Sequence, residues 1–372
     1  MIPPANPYSN YSVHKQEIDE AIRQVLDSGW YIMGREVASF QSEFASYVGV
    51  KHGVGVGSGT DALHLALRAC QIGHGDSVVT VANTAVATVS AIDLVGAHPI
   101  LVEIDARTYT LDPSRLEDTI KSYKGPPIKA VIPVHLYGHP ADMPAIVDIA
   151  NRFGLYIVED CAQAHGAMLH GKAVGSWGHF GAFSFYPTKN LGALGDGGAL
   201  VTNDDDLAER ARLIGQYGWR ERYISELPGI NTRLDEMQAS ILRVKLRYLD
   251  HENARRRRIA ERFRREISME EILHPEETLG AFHVYHQYVI RTAQRDVLKK
   301  YLLKEGVCTA ILYPIPFHMQ PGYSGRVGLG GDLGITEQFS TEILSLPVYP
   351  QLSDDEVDAV IEKMRGFKKY RD

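Results

Sequence analysis

Short apolar runs alternate with longer segments of helical spacing along the first two thirds of the chain. Ser77 to Val81, Ala130 to Val134 and Leu155 to Val158 predict strands, and Met143 to Phe153 predicts a helix between two of them. Such alternation is typical of an α/β protein whose mainly parallel sheet is covered by helices on both faces. We therefore expect ligands to bind beyond the carboxyl ends of these strands. Further predicted strands are Gly53 to Val56, Pro99 to Val102, Phe180 to Phe185, Ala199 to Thr202 and Val284 to Ile290, and further predicted helices are His14 to Leu26, Asp61 to Cys70, Thr84 to Val95 and Gln294 to Lys304.

The pattern changes after Leu234, where two apolar stripes follow one helical segment. The stripes are Met237, Ile241, Val244 and Tyr248 on one side and Leu242, Leu246 and Leu249 on the other. A helix that is apolar on two sides predicts burial between domains or subunits. We expect an extended N-terminal arm over residues 1–12, a large domain over 13–249 and a smaller α+β domain over 250–372.

Composition and charge exclude some partner classes. The chain has 372 residues, is 44% hydrophobic and carries a net charge of -7 at pH 7. That charge disfavours a general nucleic-acid or anionic-membrane partner, and we interpret the run Arg255–Arg258 as a solvated helix face. No signal peptide or spanning apolar run is apparent, so we expect a cytoplasmic protein. Cys70, Cys161 and Cys308 have neither disulfide nor metal-site spacing, and no metal is expected.

Three segments carry candidate chemistry. Gly57 to Asp61 follows a strand and opens a helix, which suits phosphate binding, although taken alone the segment favours a plain capped turn. Asp160 ends a buried strand, where it either faces a ligand or caps a turn. Lys189 follows another strand in a loop of aromatic and small residues, and partial desolvation there favours a neutral, nucleophilic amine. Taken alone, Lys189 would be interpreted as a solvated loop lysine.

Taken together, the segments resemble the DegT/DnrJ/StrS family of aminotransferases that depend on pyridoxal phosphate (PLP) and act on nucleotide-linked keto-sugars. The matching segments are Gly57 to Leu63, Glu159 to Gly166, Phe183 to Gly198, Asn231 to Ala239 and Pro314 to Pro321. The resemblance implies a fold-type-I PLP-dependent transferase. It further implies that Lys189 holds PLP as a Schiff base and moves the proton, that Asp160 pairs with the ring nitrogen, and that Gln163 lies beside the ring.

The resemblance also implies how the phosphate is bound. Gly59, Thr60 and Ser184 would hold it from one subunit, and Asn231 would reach it from the neighbouring subunit of a homodimer with shared active sites. One position departs from the family. Many relatives place an aromatic residue that stacks on the ring where this chain has Ala85, so the packing on that ring face is left unassigned.

Within the family, Lys189 favours transamination, because relatives that act as dehydratases carry histidine there. The substrates implied are L-glutamate as donor and a dTDP-linked 3-keto-6-deoxyhexose as acceptor. Candidate sugar contacts are Tyr186, Tyr313 and His318, and candidate diphosphate contacts are Arg220 and Arg222. Packed aromatic residues and surface arginines remain alternative interpretations of these positions.

Three other functions stay open. The first is amination at carbon 4 of a 4-keto-sugar. The second is a non-catalytic regulatory or binding protein on the same scaffold, although intact Lys189 and Asp160 count against it. The third is different PLP chemistry, such as that of a dehydratase or an amino-acid aminotransferase. The last usually needs an arginine that binds the substrate carboxylate, and the sequence assigns none.

Overall fold

The computed structural model describes the backbone of residues 1–371 and the side chains of residues 1–367, so Asp372 of the predicted small domain lies outside the described residues. The helices are α1 (Pro7–Val13), α2 (Lys15–Ser28), α3 (Arg35–Val48), α4 (Gly59–Ala69), α5 (Val86–Leu94), α6 (Pro113–Ser122), α7 (Met143–Phe153), α8 (Asp205–Gly215), α9 (Glu236–Leu246), α10 (Leu249–Glu266), α11 (Arg295–Lys304), α12 (Gly334–Glu342) and α13 (Asp354–Arg371). The strands are β1 (His52–Val56), β2 (Ser77–Val81), β3 (His98–Val102), β4 (Ile128–Val131), β5 (Tyr156–Asp160), β6 (Met168–Leu169), β7 (Lys172–Ala173), β8 (Phe180–Ser184), β9 (Gly198–Thr202), β10 (Trp219–Glu221), β11 (Ile224–Ser225), β12 (Ala281–Phe282), β13 (Tyr288–Arg291), β14 (Gly328–Leu329) and β15 (Ile343–Leu346).

An eight-stranded sheet forms the centre of the molecule, in the order β1-β9-β8-β5-β4-β2-β3-β14. β9 runs antiparallel to its neighbours β1 and β8, and the other neighbouring pairs are parallel. Alternate side chains of β2 enter different cores, because successive residues of a strand point to opposite faces. Val78 packs with α4, α5 and α8, whereas Val79 and Val81 pack with α6 and α7. The predicted α/β class and mainly parallel sheet are therefore confirmed.

The N-terminal segment differs from the prediction. An extended conformation over residues 1–12 is wrong for Pro7–Val13, which is helical. The local reason is a helix start signal: the Asn6 side chain accepts a hydrogen bond from the Ser9 N–H at 3.0 Å, and Pro7 occupies the first turn. Proline is tolerated there because the first N–H groups of a helix have no partner within the helix.

The doubly apolar segment after Leu234 forms two successive helices, α9 and α10. One stripe, including Ile241 and Val244, packs against Ile18 of α2. The other, including Leu242, belongs to the core shared with α3 and β8. The predicted burial is confirmed, but both stripes are covered by elements of the same chain. The two stripes are therefore no evidence for a subunit interface.

The C-terminal part packs its own hydrophobic core between α10, α11, α13 and the antiparallel pair β13 and β15. The strand predicted over Val284 to Ile290 begins only at Tyr288. β14 returns to the edge of the large sheet, where it pairs with β3. The large sheet thus includes a strand from beyond residue 250, and the predicted domain boundaries stay a prediction.

The arginine run on α10 is more buried than a solvated helix face. Arg256 is buried and donates to the Val348 carbonyl at 2.7 Å, and burial lowers its pKa to about 10. Arg255 donates to the Leu352 carbonyl at 2.7 Å. These arginines join α10 to the segment before α13, so their contacts are structural. Among the described residues, no helix is both long and apolar enough to cross a membrane.

Candidate active site

A cavity of about 250 Å³ lies where α4 and the ends of β5 and β8 meet. It brings together seven of the ten predicted site residues, from segments up to 130 positions apart in the chain. Those lining it are Gly59, Thr60, Asp160, Gln163, Ser184, Tyr186 and Lys189. The position agrees with the rule that ligands of parallel α/β sheets bind beyond the strand ends.

The N-terminus of α4 forms one end of the cavity. Ser58 caps the helix, because its hydroxyl accepts a hydrogen bond from the Asp61 N–H at 3.1 Å. Gly59 approaches β8 so closely that a Cβ there would lie 2.6 Å from the Ser184 Cβ. The first-turn N–H groups, the helix dipole and the hydroxyls of Thr60 and Ser184 together suit a phosphate.

Asp160 is the last residue of β5 and is buried. Its carboxylate accepts hydrogen bonds from the Thr88 hydroxyl at 2.7 Å and from the Ala162 N–H at 3.1 Å. Burial raises the pKa of Asp160, whereas these two donors oppose that rise. Thr88 in turn lies 2.7 Å from the Thr84 hydroxyl. Asp160 is therefore held in one orientation, with an acceptor available to a protonated ring nitrogen.

Lys189 lies in the loop after β8, where its N–H donates to the Tyr186 carbonyl at 2.8 Å. Burial lowers the pKa of its amine to about 8, and the Asp160 carboxylate acts in the opposite direction. The loop is fixed from behind, because the buried Lys245 amine donates to the Gly192 carbonyl at 2.8 Å. Lys189 can thus present a neutral amine near neutral pH, as nucleophilic chemistry requires.

Gln163 is buried and its amide orientation is defined by two partners. Its Oε1 accepts from the Tyr137 N–H at 2.8 Å, and its Nε2 donates to the Tyr313 hydroxyl at 2.9 Å. Burial raises the pKa of Tyr313, which therefore stays protonated. Because the Tyr313 oxygen accepts from Gln163, its own proton is free to be donated to a ligand.

Three predicted residues do not line the cavity: Tyr313, which contacts it through Gln163, and Asn231 and His318. Asn231 is exposed in the loop before α9. The His318 ring lies 2.9 Å from the Glu337 carboxylate of α12. Arg220, a candidate for diphosphate binding, forms ion pairs with two surface glutamates. Within this chain, these placements give Asn231, His318 and Arg220 no direct role in the cavity.

The model of the DegT/DnrJ/EryC1/StrS aminotransferase family matches residues 12–365. The chain belongs to this family. It is 46% identical to a dTDP-3-amino-3,6-dideoxy-alpha-D-galactopyranose transaminase of Aneurinibacillus thermoaerophilus, over 95% of this chain and 96% of that relative. It is 42% identical to a "Pleiotropic regulatory protein" of Geobacillus stearothermophilus, over 99% of both chains.

The fold comparison agrees with the family. The crystal structure of S. venezuelae DesV in complex with a ketimine intermediate matches with a TM-score of 0.94 and 43% identity, covering 98% of each chain. The fold-type-I expectation is confirmed, and the protein is a PLP-dependent aminotransferase.

The groups that line the cavity of this aminotransferase are of the kinds that bind PLP. A helix N-terminus offers donors to the phosphate, Asp160 offers an acceptor to the ring nitrogen, and Lys189 offers an amine of lowered pKa. When bound, PLP supplies an electron sink for the reacting carbon. Ala85 lines the cavity but has no ring to stack, so this aminotransferase lacks an aromatic contact from that position.

One buried cluster of this aminotransferase has metal-ligand residue types, His135, Glu159 and Cys161. Its hydrogen bonds are already satisfied. Glu159 accepts from three backbone N–H groups between residues 175 and 178 and from His135 Nε2 at 3.0 Å. His135 Nδ1 accepts from the Ala141 N–H at 3.0 Å, which fixes the tautomer. The cluster therefore orders the segment between β7 and β8 rather than offering free ligands.

Sequence reasoning missed Thr88, Tyr137 and Asp196 of this aminotransferase. Thr88 holds Asp160, Tyr137 holds Gln163, and Asp196 lines the cavity. Thr84 precedes α5 and Thr88 lies in its first turn, so helical spacing gave no signal for this pair. No local pattern indicates Tyr137, because its partners come from distant segments.

Proposed function

We propose that this aminotransferase moves an amino group from L-glutamate to a nucleotide-linked keto-sugar, at carbon 3 of a dTDP-linked 3-keto-6-deoxyhexose. The observation that carries the proposal is the presence of Lys189 and Asp160 in one cavity with a phosphate-binding helix end. The carbon position is supported by the relative from Aneurinibacillus thermoaerophilus, whose name specifies a 3-amino sugar.

The residues divide the work. Lys189, whose amine is partly neutral near pH 7, would take the proton from the carbon of the donor that bears the amino group. It would then deliver that proton to a carbon of the cofactor. Asp160 holds the cofactor ring nitrogen in its protonated form. The sugar would approach from the side of Tyr186, whose side chain is 53% exposed at the edge of the cavity. The partly buried hydroxyl of Tyr313 offers that sugar a hydrogen-bond donor.

The proposal is tested with purified holoenzyme, glutamate and two acceptors, a dTDP-linked 3-keto- and a 4-keto-6-deoxyhexose. We expect the 3-keto-sugar to be aminated, with the product identified by mass spectrometry. Lys189→Ala should lower kcat at least about 1000-fold, as expected for loss of a general acid–base group. Preference for the 4-keto-sugar would contradict the ring position, and full activity of Lys189→Ala would contradict the mechanism.

Two alternatives are weakened by the same site. The regulatory reading is favoured by the name of the Geobacillus stearothermophilus relative, but a purely regulatory protein has no need of the Lys189–Asp160 pair. An amino-acid aminotransferase usually binds the carboxylate of its acceptor with an arginine, and none is present among the described residues lining the cavity; because the glutamate donor carries the same carboxylate, the acceptor assay decides between the two functions. Bleaching of the PLP absorbance by glutamate would exclude a non-catalytic scaffold.

We also propose a homodimer in which Asn231 enters the neighbouring cavity, since it is exposed here and does not line the Lys189 cavity of its own chain. Coexpression of Lys189→Ala with Asn231→Ala chains tests this. A shared site predicts that the mixed dimer regains up to about half of the activity, because one of its two sites is intact. Activity no higher than the mean of the two parent variants would refute sharing.

The cytoplasm is the proposed location. Cys70, Cys161 and Cys308 are free thiols, and secreted chains more often pair their cysteines. Cell fractionation tests this, and recovery of the protein in a secreted fraction would contradict it.

A further inference from the structure

The turn Leu136–Gly138 has an unusual backbone. Tyr137 is buried and has a φ of 59°, a left-handed conformation that side chains other than glycine rarely adopt. Such residues persist where the surrounding structure fixes them, and they cluster at functional sites. The contacts of Tyr137 therefore indicate what the conformation is for.

Tyr137 makes two separate hydrogen bonds toward the active site. Its backbone N–H donates to Gln163 Oε1 at 2.8 Å. Its hydroxyl donates to the carbonyl of Leu312, the residue before Tyr313. Gln163 Nε2 donates to the Tyr313 hydroxyl at 2.9 Å, which closes a ring of contacts. One tyrosine thus fixes both partners of the Gln163–Tyr313 bond.

The turn is itself fixed from its outer side. The Val284 N–H donates to the Gly138 carbonyl at 3.1 Å, and the Gln287 N–H donates to the Tyr137 carbonyl at 3.2 Å. Gly138 also has a positive φ of 99°, and a Cβ there would lie 2.9 Å from the backbone nitrogen of His286. The turn cannot move away from the cavity without breaking these contacts, so it is a rigid support.

We propose that Tyr137 is a positioning residue for the acceptor sugar. Its hydroxyl holds Leu312, and through it directs the Tyr313 hydroxyl toward the cavity, while its N–H sets the Gln163 amide. Without that hydroxyl, the Leu312 carbonyl loses its donor and Tyr313 is free to move away from Gln163. This inference rests on the proposed function, because it requires Tyr313 to contact the keto-sugar.

The two hydrogen bonds of Tyr137 can be separated, since Tyr137→Phe removes the hydroxyl and keeps the backbone N–H. We expect the KM for the keto-sugar to rise about 3- to 10-fold, the range for one hydrogen bond. That rise should exceed any change in the half-reaction with glutamate, which is followed by PLP absorbance. Calorimetry with dTDP-glucose, which has no keto group, should show a similar loss of affinity without turnover.

Tyr109→Phe is the matched control. Tyr109 is also buried, has a φ of 62°, and its ring centroid lies 5.8 Å from that of Tyr137. Tyr109→Phe removes a hydroxyl from a neighbouring tyrosine and leaves the hydrogen bond from the Tyr137 hydroxyl to the Leu312 carbonyl in place. Equal KM values for the two variants would overturn the inference. So would additive effects of Tyr137→Phe and Tyr313→Phe, because residues acting through one another should be non-additive.

Failure of the proposed function would give different assay results from failure of the positioning role. In that case the wild-type enzyme aminates no keto-sugar, although glutamate still bleaches its PLP absorbance. The positioning role then remains testable in a crystal structure of Tyr137→Phe. A Tyr313 hydroxyl displaced from Gln163 supports it, and a Tyr313 hydroxyl still about 2.9 Å from Gln163 Nε2 would overturn it.

Discussion

The Lys189 amine has a pKa of about 8, against 10.5 for an ordinary lysine, and this predicts how fast the cofactor-free enzyme captures PLP at each pH. Only the neutral amine attacks a carbonyl. At pH 7 the neutral fraction is about 9% for a pKa near 8 and about 0.03% for an unshifted lysine. The buried site therefore increases the reactive fraction about 300-fold at that pH.

The assay mixes apoenzyme with PLP between pH 6 and 10 and follows the absorbance of lysine-bound PLP. The capture rate should rise about tenfold per pH unit up to pH 8 and then level off. Because the Asp160 carboxylate raises the pKa of Lys189, Asp160→Asn should move the midpoint to lower pH. Asp196→Asn is the control, since Asp196 lines the same cavity without contributing to that shift.

A rate that keeps rising through pH 10 would show that Lys189 titrates as an exposed lysine, and the burial argument would be refuted. An unchanged midpoint in Asp160→Asn would refute the assigned interaction between the two charges. The same midpoint shift in Asp196→Asn would show that any nearby carboxylate suffices.

Three further outcomes follow from the geometry. Glu159→Ala removes the acceptor from three N–H groups, one buried and two partly buried, and from a buried histidine, so urea denaturation should show a loss of about 3 kcal/mol or more; a wild-type midpoint would contradict this. Gly59→Ala places a Cβ 2.6 Å from the Ser184 Cβ of β8, so PLP titration should show binding about tenfold weaker or more. Gly322→Ala is the control, because its Cβ would have no atom within 4 Å and should leave PLP binding unchanged. Thr88→Val removes a donor that lowers the pKa of Asp160; the acid limb of the kcat/KM profile should therefore move to higher pH, and Thr88→Ser should restore it.

How much of the molecule could be predicted depends on the range of the interactions concerned. The strands at Ser77–Val81 and the helix at Met143–Phe153 were predicted with their observed bounds, because local periodicity determines them. The helix Pro7–Val13 was missed although Asn6 and Pro7 are local start signals, so that error lay in giving composition more weight than capping.

Sequence order also predicted which chemical groups the site would contain. Gly59, Asp160 and Lys189 each follow or end a strand, and the carboxyl ends of parallel strands meet at one edge of the sheet. The positions of these three residues at strand ends were therefore enough to predict that they line one cavity. Sequence could not show that His318 pairs with Glu337 instead, because that contact depends on how α12 packs.

The sequence by itself determined the α/β class and the residues at strand ends, since these follow from periodicity, and its resemblance to the aminotransferase family implied the cofactor. Only the tertiary structure decided how reactive and how oriented those residues are. Burial lowers the pKa of Lys189, and Tyr137 joins Gln163 to Leu312, which lies 175 residues beyond Tyr137 in the chain. Desolvation and long-range hydrogen bonds depend on the packing of distant segments, which leaves no local pattern in the chain.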